Sequence, residues 1–423
     1  MEKIRAIWKV KDVRNRLLFV LAMLAIFRIA SHIPVPGVNL ANLQSLFESN
    51  QILSLLNMFS GGGYSNFSIV MLGVGPYITA SIIMQLLTMI VPSLEAMQKE
   101  GEQGQHRINQ YTRLLTIPMA IMSAYGMIIY MKQSGAGIID DMPIFELITA
   151  IIVITAGTVF LMWLGELVTE KKVGNGISLI IFAGIVSRIP SSLQQSLSII
   201  DSTQIATFIG FVILALITIA GVVFVTEGQR NIPVNYAKRI RGNRMYGGVS
   251  THLPLRVNQA GVIPIIFAVS IVLFPPLIAQ FFANSSTVWL ATFATAVVNF
   301  FQNQTSYAIM YFVLVVAFTY FYTAVIFHPQ QISENLQKQG GFIPGIRPGN
   351  PTAQYLGYIS NRIILGGALF LGVIAVLPVV TQAATGISSF TIGGTSLLIV
   401  VSVVIETVKQ IDAQLVMHDY EGL

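Results

Sequence analysis

The chain has 423 residues, 54% hydrophobic and only 10% charged, with a formal net charge of +6 and a mean hydropathy of +0.72. Soluble domains carry about 25% charged residues, so this composition excludes an ordinary soluble enzyme or binding domain. Long unbroken apolar runs without period-two alternation exclude a barrel and leave a polytopic helical membrane protein, because backbone groups in lipid must bond within their own segment. Cys is absent, which removes disulfides and thiolate chemistry.

The N-terminal "MEKIRAIWKVKDVRNRLLFVLAMLAIF" is basic and then apolar, like a signal peptide. Arg28 interrupts the apolar run and no small-x-small site follows, so an uncleaved first helix with a basic cytoplasmic anchor is expected. A spanning helix needs about 20 apolar residues. Ten candidates follow: 17–33, 71–91, 114–131, 144–168, 177–189, 205–225, 261–282, 307–327, 363–380 and 393–410. The fifth is short and is expected to continue through 190–197 or to lie in a protected interior. The apolar stretch 287–303, "TVWLATFATAVVNFFQN", is read as a short external helix instead of an eleventh span.

Charge supports that choice. With ten spans and a cytoplasmic N-terminus, 21 of the 24 Lys and Arg fall on the cytoplasmic side, leaving Lys132 and Arg188 outside and Arg28 within the first span. A span at 287–303 would export Lys338, Arg347 and Arg362. Ten spans divide near residue 200 into an N-terminal half, 1–200, and a C-terminal half, 201–423. Five is odd, so homologous halves would be inverted in the membrane, an arrangement that places a functional site at the midplane.

Enzymatic motifs are missing. No phosphate-binding loop and no H-E-x-x-H occurs, and the five His are scattered without ligand spacing, so no cofactor or metal is expected. Glu146, Glu166 and Glu406 sit near span ends, where a proton- or sodium-coupled carrier would place acids deeper. Arg28 is read as a snorkelling side chain near the outer end of its span, without a functional role.

Three features ask for more. In "NMFSGGGYSNFSIVMLGVGPYITASIIMQ" (57–85), glycines and turn residues precede a span. Non-helical backbone at that depth needs protein or a watery cavity around it; a pore-resident half-helix over about 57–70 and an external re-entrant loop both satisfy this. The loop 226–259 carries Arg230, Lys238, Arg239, Arg241, Arg244 and Arg256 against one acid, and the loop 328–362 presents Arg347 on a Gly-Pro turn. Topology alone explains the sign of these charges. A docking surface for an RNA or an acidic partner also explains the defined turn chemistry, and from the residues both readings stand.

The segments "GVGPYITASIIMQLLTMIVPSLE", "EGEQGQHRINQYTRLLT", "GNGISLIIFAGIVSRIP", "YGGVSTHLPLRVNQAGVIPIIFAVSIVLFP", "HPQQISENLQKQGGFIPGIRPG" and "GGTSLLIVVSVVIE" resemble, in order, the SecY family of bacterial translocon channels. The resemblance covers the whole chain; the stretch around "RIRGNRM" matches least in detail.

The resemblance implies a passive conduit for unfolded secretory and membrane polypeptides, with ten helices in two inverted five-helix halves around an hourglass pore. It implies partners: SecE and SecG as small subunits, SecA as motor ATPase, the ribosome, signal-sequence-bearing substrates and the phospholipid bilayer of the inner membrane, with both termini cytoplasmic. It assigns Ser60, Gly61, Gly62, Gly63, Tyr64, Ser65, Asn66 and Phe67 to a plug, and Ile78, Ile82, Ile181, Ile185, Ile266 and Ile399 to the pore ring. Gln85 and Asn258 look like the polar pair of the family's lateral gate, to which Pro264 is also assigned. Pro264, Pro275 and Pro276 are expected to supply bend points in the seventh span. The other class left open is a secondary transporter of a small solute.

Overall fold

In a computed structural model, the described residues are 8–49, 53, 56–57, 60–133, 137–139, 143–199, 205–236, 239–241, 244–246, 250–283, 287–385 and 394–421. Helices α1 (Lys11–Ala30), α2 (Leu40–Ser49), α3 (Gly75–Ile90), α4 (Pro92–Lys99), α5 (Glu102–Gln133), α6 (Ile144–Glu170), α7 (Gly176–Ile199) and α8 (Ile205–Glu227) come first. Strands β1 (Gln229–Tyr236), β2 (Arg239–Arg241), β3 (Arg244–Tyr246) and β4 (Ser250–Arg256) follow. Then come α9 (Ile263–Ala283), α10 (Val288–Gln302), α11 (Gln304–Ile326), α12 (Pro329–Lys338), β5 (Gly341–Phe342), α13 (Asn350–Thr385) and α14 (Gly394–Glu421).

Each of the ten predicted spans carries a helix. Five described segments are long and apolar enough to cross a membrane by composition alone: Glu102–Lys132, Ile144–Glu170, Phe208–Glu227, Gln304–Lys338 and Asn350–Ala383. A sixth arises if α3 and α4 count as one bent span, with 99° between them. That bend has a local cause. Val91 precedes Pro92, whose ring disfavours helical geometry in the residue before it, and Val91 is extended at φ −98°, ψ 111°. The fifth predicted span does continue, since α7 runs on past Pro190 to Ile199. The stretch read as a short external helix is α10, whose 15 residues reach about 22 Å against a hydrocarbon core of about 30 Å.

The chain forms two compact units. The first comprises Met1–Gln204, Val269–Tyr307 and Val403–Leu423. Within it α3 and α4 pack on α5, α5 packs on α6, and α6 also carries α3, α7 and α1. Its core joins Val35, Leu43 and Phe47 to Tyr64, Phe67, Met71, Ala120, Ala124, Ile128 and Ile154. Arg113 Nε, on α5, meets Glu166 Oε1, on α6, at 2.6 Å.

The second unit comprises Ile205–Ala268 and Ala308–Ser402. Here α8 packs on α13, and much of its outer surface is exposed apolar side chain: Ile209, Ile213, Leu216, Ile217 and Phe224. That is the face a lipid-bathed helix presents. The sequence reading contained no strands, yet β1 pairs antiparallel with both β4 and β5 in a sheet of order β4-β1-β5. Its inner face alternates at period two through Ile232 and Val234, closing over Leu255, Ile343, Leu356 and Ile359.

Candidate functional site

The segment after residue 57 is not a half-helix: residues 58 and 59 lie outside the described residues, and 60–74 form consecutive turns interrupted by a single bridge at Ser68. The turns satisfy themselves: Ser65 N donates to Asn57 Oδ1, Gly62 N to Asn57 O and Ser68 N to Gly63 O. Gly61 sits at φ +67°, a region favouring glycine, and a Cβ there would lie 2.9 Å from Gly184 Cα on α7 and 3.0 Å from Phe27 Cζ on α1. The glycine therefore permits both the turn and the close approach.

The segment divides into two parts. Residues 66–69 are stitched to the chain following α1: Val35 N donates to Phe67 O at 2.8 Å, Ile69 N to Ile33 O at 3.0 Å, and Asn66 Nδ2 to Ser31 O at 3.3 Å. Tyr64 stacks on Phe47, and Phe67, Val70 and Met71 are fully buried. Burying an aromatic or aliphatic side chain is worth about 1.5–3 kcal/mol, so these residues form part of the core. Tyr64 and Phe67, both assigned to the plug by the resemblance, are thus anchored in the core of the first unit.

Sequence reading missed one residue here. Arg28 does not merely snorkel: its Nη1 donates to the Gly61 carbonyl oxygen. The acceptor is main chain 33 residues away, so no side-chain pattern announces it.

Of the six isoleucines, Ile82 on α3 and Ile181 and Ile185 on α7 are buried within the first unit, while Ile78 is half-buried. Helices α3 and α7 both rest on α6. Ile266 on α9 and Ile399 on α14 are buried in the second unit. Gln85 Nε2 donates within its own helix to Ser81 Oγ at 3.5 Å, and Asn258 Nδ2 donates to Gly261 O at 3.2 Å. Both amide oxygens are buried without a hydrogen-bond partner among the described residues. Pro275 and Pro276 lie inside α9, as a bend point requires. Pro264 does not: it is the second residue of α9, where no intrahelical N–H is lost.

The two basic loops are one structure. Asn235 and Tyr236 of the first pair with Phe342 and Gly341 of the second, and α12 packs on both β5 and α13. The tip is fixed by Ser333 Oγ donating to Gly349 O at 2.6 Å and Thr352 Oγ1 donating to Arg347 O at 2.8 Å. Arg347 itself is exposed, as is Arg230 on β1. Arg239, Arg241 and Arg244 lie on the β2–β3 hairpin; Lys238 lies outside the described residues. No group of His, Asp or Glu able to hold a metal occurs among the described residues.

These observations define the class: a multi-pass helical membrane protein with a buried non-helical segment among its spans and a folded basic platform between them. The SecY family model matches residues 68–408. The protein translocase subunit SecY of Streptomyces galbus is 45% identical, with 98% of each chain covered, and that of Corynebacterium glutamicum is 45% identical with 100% of each covered. Among solved structures, one described as a protein conducting channel superposes with a TM-score of 0.65 at 19% identity, covering 94% of this chain and 91% of that one. Sec61 in a canine ribosome–channel complex gives 0.62 at 20%, with the same coverage of each chain; both show the fold. The chain belongs to the SecY family, with that family's ten-helix fold, and its activity is that of a protein-conducting channel. The small-solute transporter finds no support in these matches.

Proposed function

We propose that the chain passes unfolded secretory polypeptides across the bacterial inner membrane and releases apolar segments sideways into lipid, driven by an external motor ATPase of the SecA type or by the ribosome. The chain itself performs no catalysis. SecE and SecG are its small membrane partners, and both termini are cytoplasmic. The halves 1–200 and 201–423 are inverted repeats.

In this reading residues 60–67 are the plug, and Ile78, Ile82, Ile181, Ile185, Ile266 and Ile399 form the pore ring. Aliphatic side chains seal without recognising a passing chain, since they offer it no hydrogen bonds and exclude ions by dewetting. Gln85 and Asn258 belong to the lateral gate, and Pro275 and Pro276 give its helix freedom to bend. Arg230, Lys238, Arg239, Arg241, Arg244 and Arg347 dock the motor or ribosome.

The observation that carries the reading is the turn-rich stretch 60–74, buried beside α1, α6 and α7. Irregular backbone at membrane depth is tolerated only inside protein or along a cavity. The test is photocrosslinking of a stalled secretory chain to probes at Ile82 and Ile185. Adducts at both are expected; a chain that reacts with neither takes another path.

A further inference from the structure

The glycine tip and the anchored part of the plug segment are held by different means. Residues 64–69 are fixed by buried aromatic side chains and by the backbone bonds of Phe67 and Ile69 to Val35 and Ile33. Gly61, Gly62 and Gly63 contribute no side chains to packing. Arg28 Nη1 reaches the tip from outside the segment and donates to Gly61 O. Arg28 is itself braced: its side chain lies 3.5 Å from Ser31 Oγ, while Ser31 Oγ donates back to Arg28 O at 2.8 Å and His32 Nδ1 lies 2.9 Å from the same carbonyl. Across the tip, Arg188 Nε of α7 lies 4.0 Å from where a Cβ on Gly62 would stand.

A cation within an apolar helix is costly and persists where it has a partner. Arg28 has a main-chain oxygen for one, and a hydrogen bond from a charged donor is about twice as strong as a neutral one. We propose that Arg28 is a positioning residue for channel gating: its bond to the Gly61 carbonyl is the catch that holds the plug tip in place. Opening then breaks this bond and moves 60–63, while 64–69 stay fastened beside 33–35 as the hinge base. The proposal rests on the plug reading above and deepens it. It requires no substrate-specific contact, as a channel for many sequences demands, because the acceptor is backbone.

The test is ion leakage through the full-length protein, reconstituted with its co-purifying subunits in vesicles. Four variants are compared: Arg28→Met, Arg28→Lys, a linker replacement of residues 60–66, and the Met substitution combined with that replacement. Losing a hydrogen bond to a charged group raises the displaced population by roughly tenfold or more, so Arg28→Met should leak about tenfold above the parent, with Arg28→Lys restoring most of the seal. In the plug-replaced background Arg28→Met should add nothing, an outcome that a merely structural arginine would not give. A leaking plug replacement beside a tight Arg28→Met overturns the catch while leaving the plug. Additional leakage in the double variant also overturns it, since Arg28 would then act elsewhere. A tight plug replacement removes the plug reading and the catch together. Should Arg28→Met fail to accumulate, Arg28→Gln carries the same comparison, and a tight Arg28→Gln overturns the proposal.

Discussion

Asn235 of β1 pairs with Phe342 of β5, joining two loops separated by three helices into one sheet. Basic residues more than 100 positions apart in sequence, Arg230 and Arg347, thus stand on one folded platform whose core is Ile232, Val234, Leu255, Ile343, Leu356 and Ile359. A loosening of that core should be felt by both loops. Leu356 is fully buried, and truncating a buried Leu to Ala costs about 2–5 kcal/mol. Leu356→Ala is expected to make both 229–256 and 341–349 protease-sensitive together in membranes. Cleavage confined to one loop would show that the sheet does not couple them.

Arg347 allows the proposed docking role to be tested apart from folding. Its carbonyl is held by Thr352 while its side chain is exposed, so Arg347→Glu reverses a charge without disturbing the turn. Exposed substitutions of this kind usually change stability within about 0.5 kcal/mol. Motor-driven export should fall sharply, with normal accumulation of the protein in the membrane. Undiminished export by Arg347→Glu would remove this residue from the docking surface.

The spans were legible because lipid imposes a length and a composition that short motifs cannot imitate, and α10, at 15 residues, falls short of that length. The platform was not legible as a sheet. β1 reads QRNIPVNY, with a proline and only two inward apolar positions, and its partner β5 has two residues; no periodicity survives at that length. Arg28 was visible as an anomaly but its partner was not, because a backbone carbonyl has no letter of its own. Pro264 was misjudged for a related reason: the sequence shows a proline in an apolar run but not where the first turn of α9 begins.

The two amides proposed for the lateral gate give a signed expectation. Asn258 Oδ1 and Gln85 Oε1 are buried acceptors without partners among the described residues, and such a group costs about 1–3 kcal/mol. Replacing either amide with Leu removes that cost and gives up one donated hydrogen bond, Gln85 to Ser81 Oγ or Asn258 to Gly261 O, worth about 0.5–1.5 kcal/mol, so the balance stabilises the present conformation against rearrangement. Asn258→Leu and Gln85→Leu should therefore raise the apolarity a segment needs before it leaves the channel for lipid. A graded series of Leu-containing test segments measures the threshold; an unchanged threshold returns both residues to ordinary packing.

Gly157 tests whether the anchored base of the plug segment must stay where it is. A Cβ at this position of α6 would stand 1.8 Å from the Ile69 carbonyl oxygen and 3.3 Å from Val70 Cα, and both contacts are backbone, which cannot rotate away. Ile69 N is at the same time bonded to Ile33 O, so the segment cannot retreat from α6 without breaking its stitch to residue 33. Gly157→Ala must move either the helix or the base. Moving the base would pull Phe67, Val70 and Met71 out of a core in which all three are fully buried, at several times the roughly 1 kcal/mol typical of a single substitution. Gly157→Ala should thus lower the thermal midpoint of the detergent-solubilised protein and raise ion leakage in vesicles, whereas Arg28→Met should raise leakage with little change in the midpoint. If the two variants behave alike on both measurements, tip and base are a single element and the division drawn at residue 64 is wrong.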